Sequence, residues 1–69
     1  METLEIGKFI KATRKSKKII LKEMAAKLGV STPTLSNLEH GGNSGIKLLE
    51  AVCNELDLVL EIRVRINEN

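Results

Sequence analysis

The chain has little of what usually staples or equips a small protein: one cysteine, one histidine, one proline and one phenylalanine among 69 residues, with no tryptophan or tyrosine. A lone Cys53 excludes an internal disulfide, and with a lone His40 it leaves no constellation for a zinc site. No stretch approaches the roughly 20 apolar residues that span a bilayer, and Met1-Glu2-Thr3 opens without a basic region leading into an apolar run. The expectation is a cytoplasmic protein with no membrane contact. Also missing are a paired-carboxylate cleft, a metal cluster and a nucleophile with its base. Gly41-Gly42 and Gly45 have neither the preceding strand nor the lysine of a phosphate-cradling loop. No enzyme activity, metal or cofactor is therefore expected.

What is present is ordinary in proportion and uneven in placement. Apolar residues at 42% and charged residues at 29% suit a globular chain. A mass of 7.6 kDa allows one domain at most, whose core alone stabilises it weakly. The net charge of +2 hides a contrast between the two halves. From Lys8 to Lys27 there are eight basic residues against the single acid Glu23, a local +7, whereas residues 41–69 carry three basic and five acidic groups, a local −2. Such a local excess attracts polyanions, nucleic acid above all; a solvated lysine face is the other reading.

Periodicity predicts four short helices. Thr3 can cap the first, with Ile6, Phe9, Ile10 and Thr13 as its buried stripe and an end near Ser16. Gly7 inside it costs up to ~1 kcal/mol relative to alanine. The second places Leu21, Met24, Ala25 and Leu28 on one face and stops at Gly29 with a left-handed cap. Ser31 or Thr32 caps the third, with Pro33 tolerated in its first turn, Leu35 and Leu38 facing inward, and an end at His40-Gly41-Gly42. His40 at that end suits contact with terminal carbonyls better than with a phosphate. Asn43 or Ser44 caps the fourth, in which Ile46, Leu49, Val52, Cys53 and Leu56 form the stripe. Cys53 reads there as a small core residue.

The last segment changes period. Leu58, Leu60, Ile62, Val64 and Ile66 alternate with Val59, Glu61, Arg63 and Arg65, the pattern of a half-buried β-strand. The sequence holds no second strand for it. A twofold homodimer joined by an antiparallel ribbon of residues 58–66 satisfies its backbone groups; irregular chain folded over its own helices is the alternative. The division expected is a domain over 1–57 and a dimerisation strand with tail over 58–69. Glu50, Glu55, Asp57 and Glu61 form either an acidic surface for a protein partner or a solvated one.

The stretch Leu21-Lys-Glu-Met-Ala25-Ala-Lys-Leu-Gly29-Val-Ser-Thr-Pro-Thr-Leu35-Ser-Asn-Leu38 resembles a helix-turn-helix of the Cro/Xre repressor kind. Ala25 is small where two helices cross, Gly29 permits the tight turn, and Leu35 and Leu38 anchor the second helix. The flanks are similar too: an Arg-bearing first helix, the ending Leu38-Glu39-His40-Gly41, and a fourth core helix. The resemblance implies a mainly α, lambda-repressor-like fold and a structural ion pair between Arg14 and Glu39. With the terminal strand added, the chain is similar to HipB-type antitoxins, which repress their own operon and bind a HipA-type kinase toxin. Many members carry Thr-Gln or Ser-Gln where this chain has Ile20-Leu21, which removes a cap and a phosphate contact. Pro33 stands where a base-reading glutamine is common and offers only apolar contact.

The expected function is a sequence-specific, double-stranded DNA-binding regulator acting as a homodimer on a palindromic operator through the helix at 31–40. Thr32, Pro33, Ser36 and Asn37 would face base edges, Asn37 best suited to adenine N6 and N7, with Thr34 toward the phosphate backbone. Lys15, Lys17, Lys18 and Lys22 are the phosphate candidates by charge. The alternative is a protein-interaction module of the same fold that neutralises or scaffolds a partner with little DNA binding.

Overall fold

In the computed structural model, which describes residues 2–42 and 45–61, four helices follow one another: α1 (Glu2–Ser16), α2 (Leu21–Leu28), α3 (Thr32–Glu39) and α4 (Ile46–Glu55). All four end in the same way. The residue after the last turn takes a left-handed conformation, at Lys18 (φ 59°), Gly29 (φ 72°), Gly41 (φ 87°) and Asp57 (φ 59°). The next residue's N–H then reaches back over the helix end. Ile19 N–H donates to Arg14 O at 3.1 Å, Val30 to Ala25 O at 3.0 Å, Gly42 to Asn37 O at 2.7 Å and Leu58 to Cys53 O at 2.8 Å. These pairings satisfy carbonyls that a helix end would otherwise strand.

Gly29 takes the left-handed cap that its position predicts, whereas Lys18 and Asp57 carry side chains in a conformation that favours glycine. Asp57→Gly is therefore expected to stabilise the fold by about 1 kcal/mol, seen as a melting temperature raised by about 4–8 °C in circular dichroism. The lost carboxylate takes little with it, since it is 89% exposed and 3.9 Å from Lys17 Nζ. An unchanged or lowered melting temperature would count against this origin of strain.

The helix starts differ more from expectation. α1 begins at Glu2, so Thr3 lies inside its first turn rather than capping it. α2 starts at Leu21, and Ile20 before it supplies no side-chain cap. Ser31 caps α3 by accepting the Thr34 N–H at 3.2 Å, and Pro33 sits in the first turn, where no intrahelical donor is needed. α4 is preceded by Gly45 (φ 81°), which offers no side chain; Asn43 and Ser44 lie outside the described residues.

α3 occupies the middle, packed against both α1 and α2. Ile10, Met24, Ala25, Leu35, Leu38, Val52 and Leu56 form the core, with Leu21, Leu28, Leu48, Leu49 and others half-buried around it. Ala25 is buried in the core on α2, the helix that packs against α3. The apolar stripe of α1 is rotated from the expected one. Gly7, Ile10 and Arg14 face inward, a spacing of three and four residues, while Ile6 and Phe9 stay exposed and Thr13 donates its hydroxyl to Phe9 O at 2.8 Å. Gly7 explains the rotation. A Cβ there would lie 2.7 Å from Leu38 O and 2.5 Å from Glu39 O, so α1 approaches the end of α3 more closely than any side chain permits. Ile46, expected in the α4 stripe, is exposed.

Leu58–Glu61 belong to no helix and pair with no strand among the described residues. Of the expected dimerisation strand, Leu58 and Leu60 are half-buried, and Ile62, Val64 and Ile66 lie outside the described residues.

Candidate nucleic-acid interface

The inward anchors of α3 settle which of its residues are left outside. Leu35 and Leu38 are buried, as is Glu39, so the helix is held from behind along one line. Pro33, Thr34 and Asn37 are exposed, and Thr32 and Ser36 are half-buried at the margin. A helix of only eight residues held so firmly on one side presents its other side as a short, rigid ridge. Its chemistry is small and polar: two threonines, a serine and an amide, with one proline.

Two of these side chains have internal contacts that the sequence does not announce. The Thr34 hydroxyl lies 2.7 Å from Ser31 Oγ, so it belongs to the helix cap as well as to the surface. The Asn37 carboxamide lies over Gly42, in the space that a Cβ at that position would fill. Gly42 thus makes room for Asn37 beside the turn that leaves α3. The Ser36 carbonyl accepts from His40 Nδ1 at 2.8 Å, which holds the exposed histidine at the helix end with that nitrogen on the helix's own backbone.

The ridge is backed by an ion pair. Arg14 Nε donates to Glu39 Oε2 at 2.6 Å and Nη2 to Oε1 at 3.1 Å, a two-pronged geometry, while Nη1 donates to Ile19 O at 2.8 Å. One guanidinium thereby ties the end of α1, the end of α3 and the link into α2. The side chains are 8% and 1% exposed, so the pair is withdrawn from water and acts on position rather than on a ligand.

Lys15, Lys17, Lys18 and Lys22 are all exposed, at the end of α1, along the link and in the first turn of α2. Of the other cations in the basic window, Arg14 is matched by Glu39 and Lys27 Nζ by Glu55 Oε2 at 2.7 Å. The hydrogen bond and charge of Glu55 push the Lys27 ammonium above its ordinary value. Lys17 Nζ stands 3.9 Å from the exposed Asp57 carboxylate, and Lys8 on α1 is exposed as well, so the positive surface extends from α1 across the α1–α2 link. The described residues hold no cluster of three or more His, Cys, Asp or Glu fit for a metal ion, and no described helix is long and apolar enough to cross a membrane. Burial raises the Cys53 thiol above its usual range, in keeping with a core position.

A family model described as helix-turn-helix matches residues 10–60, which takes in the second half of α1, all of α2 to α4 and the segment after them. Comparison with curated proteins and with solved structures gives no match.

Proposed function

Since this chain belongs to the Cro/C1-type helix-turn-helix family, and so is a DNA-binding transcription regulator, we propose that it acts as a homodimeric repressor of its own transcription. In this reading α3 of each copy enters the major groove of one half of a palindromic operator, the two about one DNA turn apart, ~34 Å. The observation that carries it is the outward ridge of Thr32, Pro33, Ser36 and Asn37 on a helix anchored by buried Leu35 and Leu38. Lys15, Lys17, Lys18 and Lys22 supply phosphate contacts beside it, which add affinity without choice of sequence. Asn37, whose amide takes the space that Gly42 leaves open, is the residue best equipped to choose a base.

Titration onto the DNA upstream of the gene and onto a scrambled duplex, at two salt concentrations, tests the reading. Tighter binding to the native duplex that weakens steeply with salt is expected. Asn37→Ala should cost about 1–3 kcal/mol on the native site and nothing on the scrambled one. Equal or negligible binding to both duplexes would overturn the repressor and favour a protein-docking module. The narrower version, a HipB-type antitoxin, is supported by the alternating segment that follows the helix-turn-helix. Its test is an adjacent kinase-like reading frame whose product this protein inhibits.

A further inference from the structure

The four helix endings are built alike but filled differently. In each, the residue after the left-handed one folds over the helix end and donates its N–H to the carbonyl five residues back. An apolar side chain at that place commonly packs back onto the helix that has just ended. Ile19, Val30 and Leu58 do so at the ends of α1, α2 and α4, and all three are half-buried against the core. The ending of α3 has Gly42 there instead, with no side chain to pack.

Neither usual reason for a glycine holds at Gly42. Its backbone is not left-handed, since that part of the turn falls to Gly41 at φ 87°. Nor does backbone crowd it as Leu38 O and Glu39 O crowd Gly7: the three heavy atoms nearest to a Cβ at position 42 are Nδ2, Cγ and Oδ1 of Asn37. What a side chain at 42 would displace is therefore the carboxamide of Asn37. That carboxamide is confined yet unengaged. The side-chain hydrogen bonds around α3 use Ser31, Thr34, Glu39 and His40, and none between described residues uses the Asn37 amide, although the residue is exposed. An amide held by packing alone keeps its oxygen and its N–H donors for something outside the helix.

We propose that Gly42, outside the recognition helix, is a specificity-determining residue: by leaving its Cβ space empty it lets the Asn37 carboxamide lie against the turn in the pose from which it reads a base. The inference rests on the base-reading role given to Asn37 above, and adds that position 42 decides whether that role is filled. A two-pronged pair with adenine N6 and N7 needs the amide oxygen and nitrogen in one plane with the base, and such a contact tolerates misplacement of only about 10–20°. Fixing the rotamer before binding also removes part of the ordering cost that a mobile side chain would meet on the DNA. Gly42 thus acts through Asn37 as a positioning residue and makes no base contact of its own.

Gly42→Ala in the full chain tests it. The new methyl meets the far end of a flexible side chain, so the fold absorbs it by turning Asn37 aside, and the N–H that Gly42 donates to Asn37 O is kept. The variant should melt no lower than wild type. Among duplexes tiling the DNA upstream of the gene, its affinity for the tile that wild type binds tightest should fall about tenfold, with affinity for a scrambled duplex unchanged. Single-base-pair substitutions through that tile give the second readout. Gly42→Ala and Asn37→Ala should lose discrimination at the same base pair of each half-site and keep it elsewhere, and the double variant should bind no more weakly than Asn37→Ala alone. Full affinity and discrimination in Gly42→Ala, while Asn37→Ala loses both, would overturn the positioning role and leave Asn37 a base reader. A further loss on adding Gly42→Ala to Asn37→Ala would show that the turn meets DNA by itself, and would overturn it too. So would a lowered melting temperature that persists in the Asn37→Ala background, since the methyl would then meet something other than the carboxamide. An Asn37→Ala protein whose choice of sequence is unaltered would overturn the base-reading role itself, and this inference with it.

Discussion

Arg14→Ala is expected to leave the chain largely unfolded at neutral pH. The substitution strands a carboxylate that is 1% exposed, since Glu39 takes both of its charged hydrogen bonds from this guanidinium. It also removes the donor on the Ile19 carbonyl. Glu39 lies in the last turn of α3, where the helix's own carbonyls already disfavour a negative charge, so nothing local replaces the arginine. Breaking a buried pair from one side costs about 3–5 kcal/mol. A domain of this length has roughly 3–10 kcal/mol in total. Arg14→Lys should recover only part of the loss, because an ammonium cannot make the two-pronged contact and reach Ile19 as well. The double change Arg14→Met with Glu39→Met should recover most of it, since two apolar groups leave no charge behind. Urea unfolding followed by far-ultraviolet circular dichroism reads all three, the chain having no tryptophan or tyrosine to follow by fluorescence. If the single alanine variant were as stable as wild type, the pair would contribute nothing to position. Loss of DNA binding in the lysine variant, at temperatures where it stays folded, would show that the pair also sets the pose of α3.

Gly7→Ala is expected to destabilise the fold by about 2–3 kcal/mol, the reverse of what helix propensity alone gives. In an isolated helix the exchange gains up to ~1 kcal/mol. Here the new methyl would stand 2.5 Å from Glu39 O and 2.7 Å from Leu38 O, and both are backbone atoms of a helix end that cannot turn aside as a side chain would. α1 would have to move away from α3, which opens the core around Ile10 and stretches the Arg14–Glu39 bonds. Ala12→Gly, at an exposed position of the same helix, is the control: it should cost about 1 kcal/mol by propensity. A Gly7→Ala protein as stable as wild type, or more stable, would refute the close approach. Thermal melts of the two variants decide the sign.

Much of the candidate site was legible because its signals are local. Gly29 follows an apolar stripe and takes φ 72°, Ser31 precedes Pro33 and caps α3, and Leu35 and Leu38 alternate with polar residues on an eight-residue helix. Periodicity also found the buried faces of α2 and most of α4, where Met24, Ala25, Val52, Cys53 and Leu56 are all inside. It misjudged α1. Ile6, Phe9, Ile10 and Thr13 form a plausible stripe, but the inward line is the one through Gly7, and a glycine carries no hydropathy to announce it. Lys18 and Asp57 were missed as left-handed caps because glycine is the usual signal and neither is one. The position of the Asn37 amide over Gly42 was out of reach for the same reason: it depends on how the turn after α3 folds back, not on the spacing along α3.

The sequence alone thus determined where helices form and stop, that one window is strongly basic, and which residues of α3 are anchors and which are free, since each rests on neighbours within four or five positions. Tertiary structure decided the rest. Which flank of α1 faces inward, and that Ile6 and Phe9 line an open groove with Leu58 and Leu60, both depend on how the helices dock. The physical reason is that caps and periodicity act within one turn of helix, while close approach and burial are properties of two surfaces that meet only when the chain has folded.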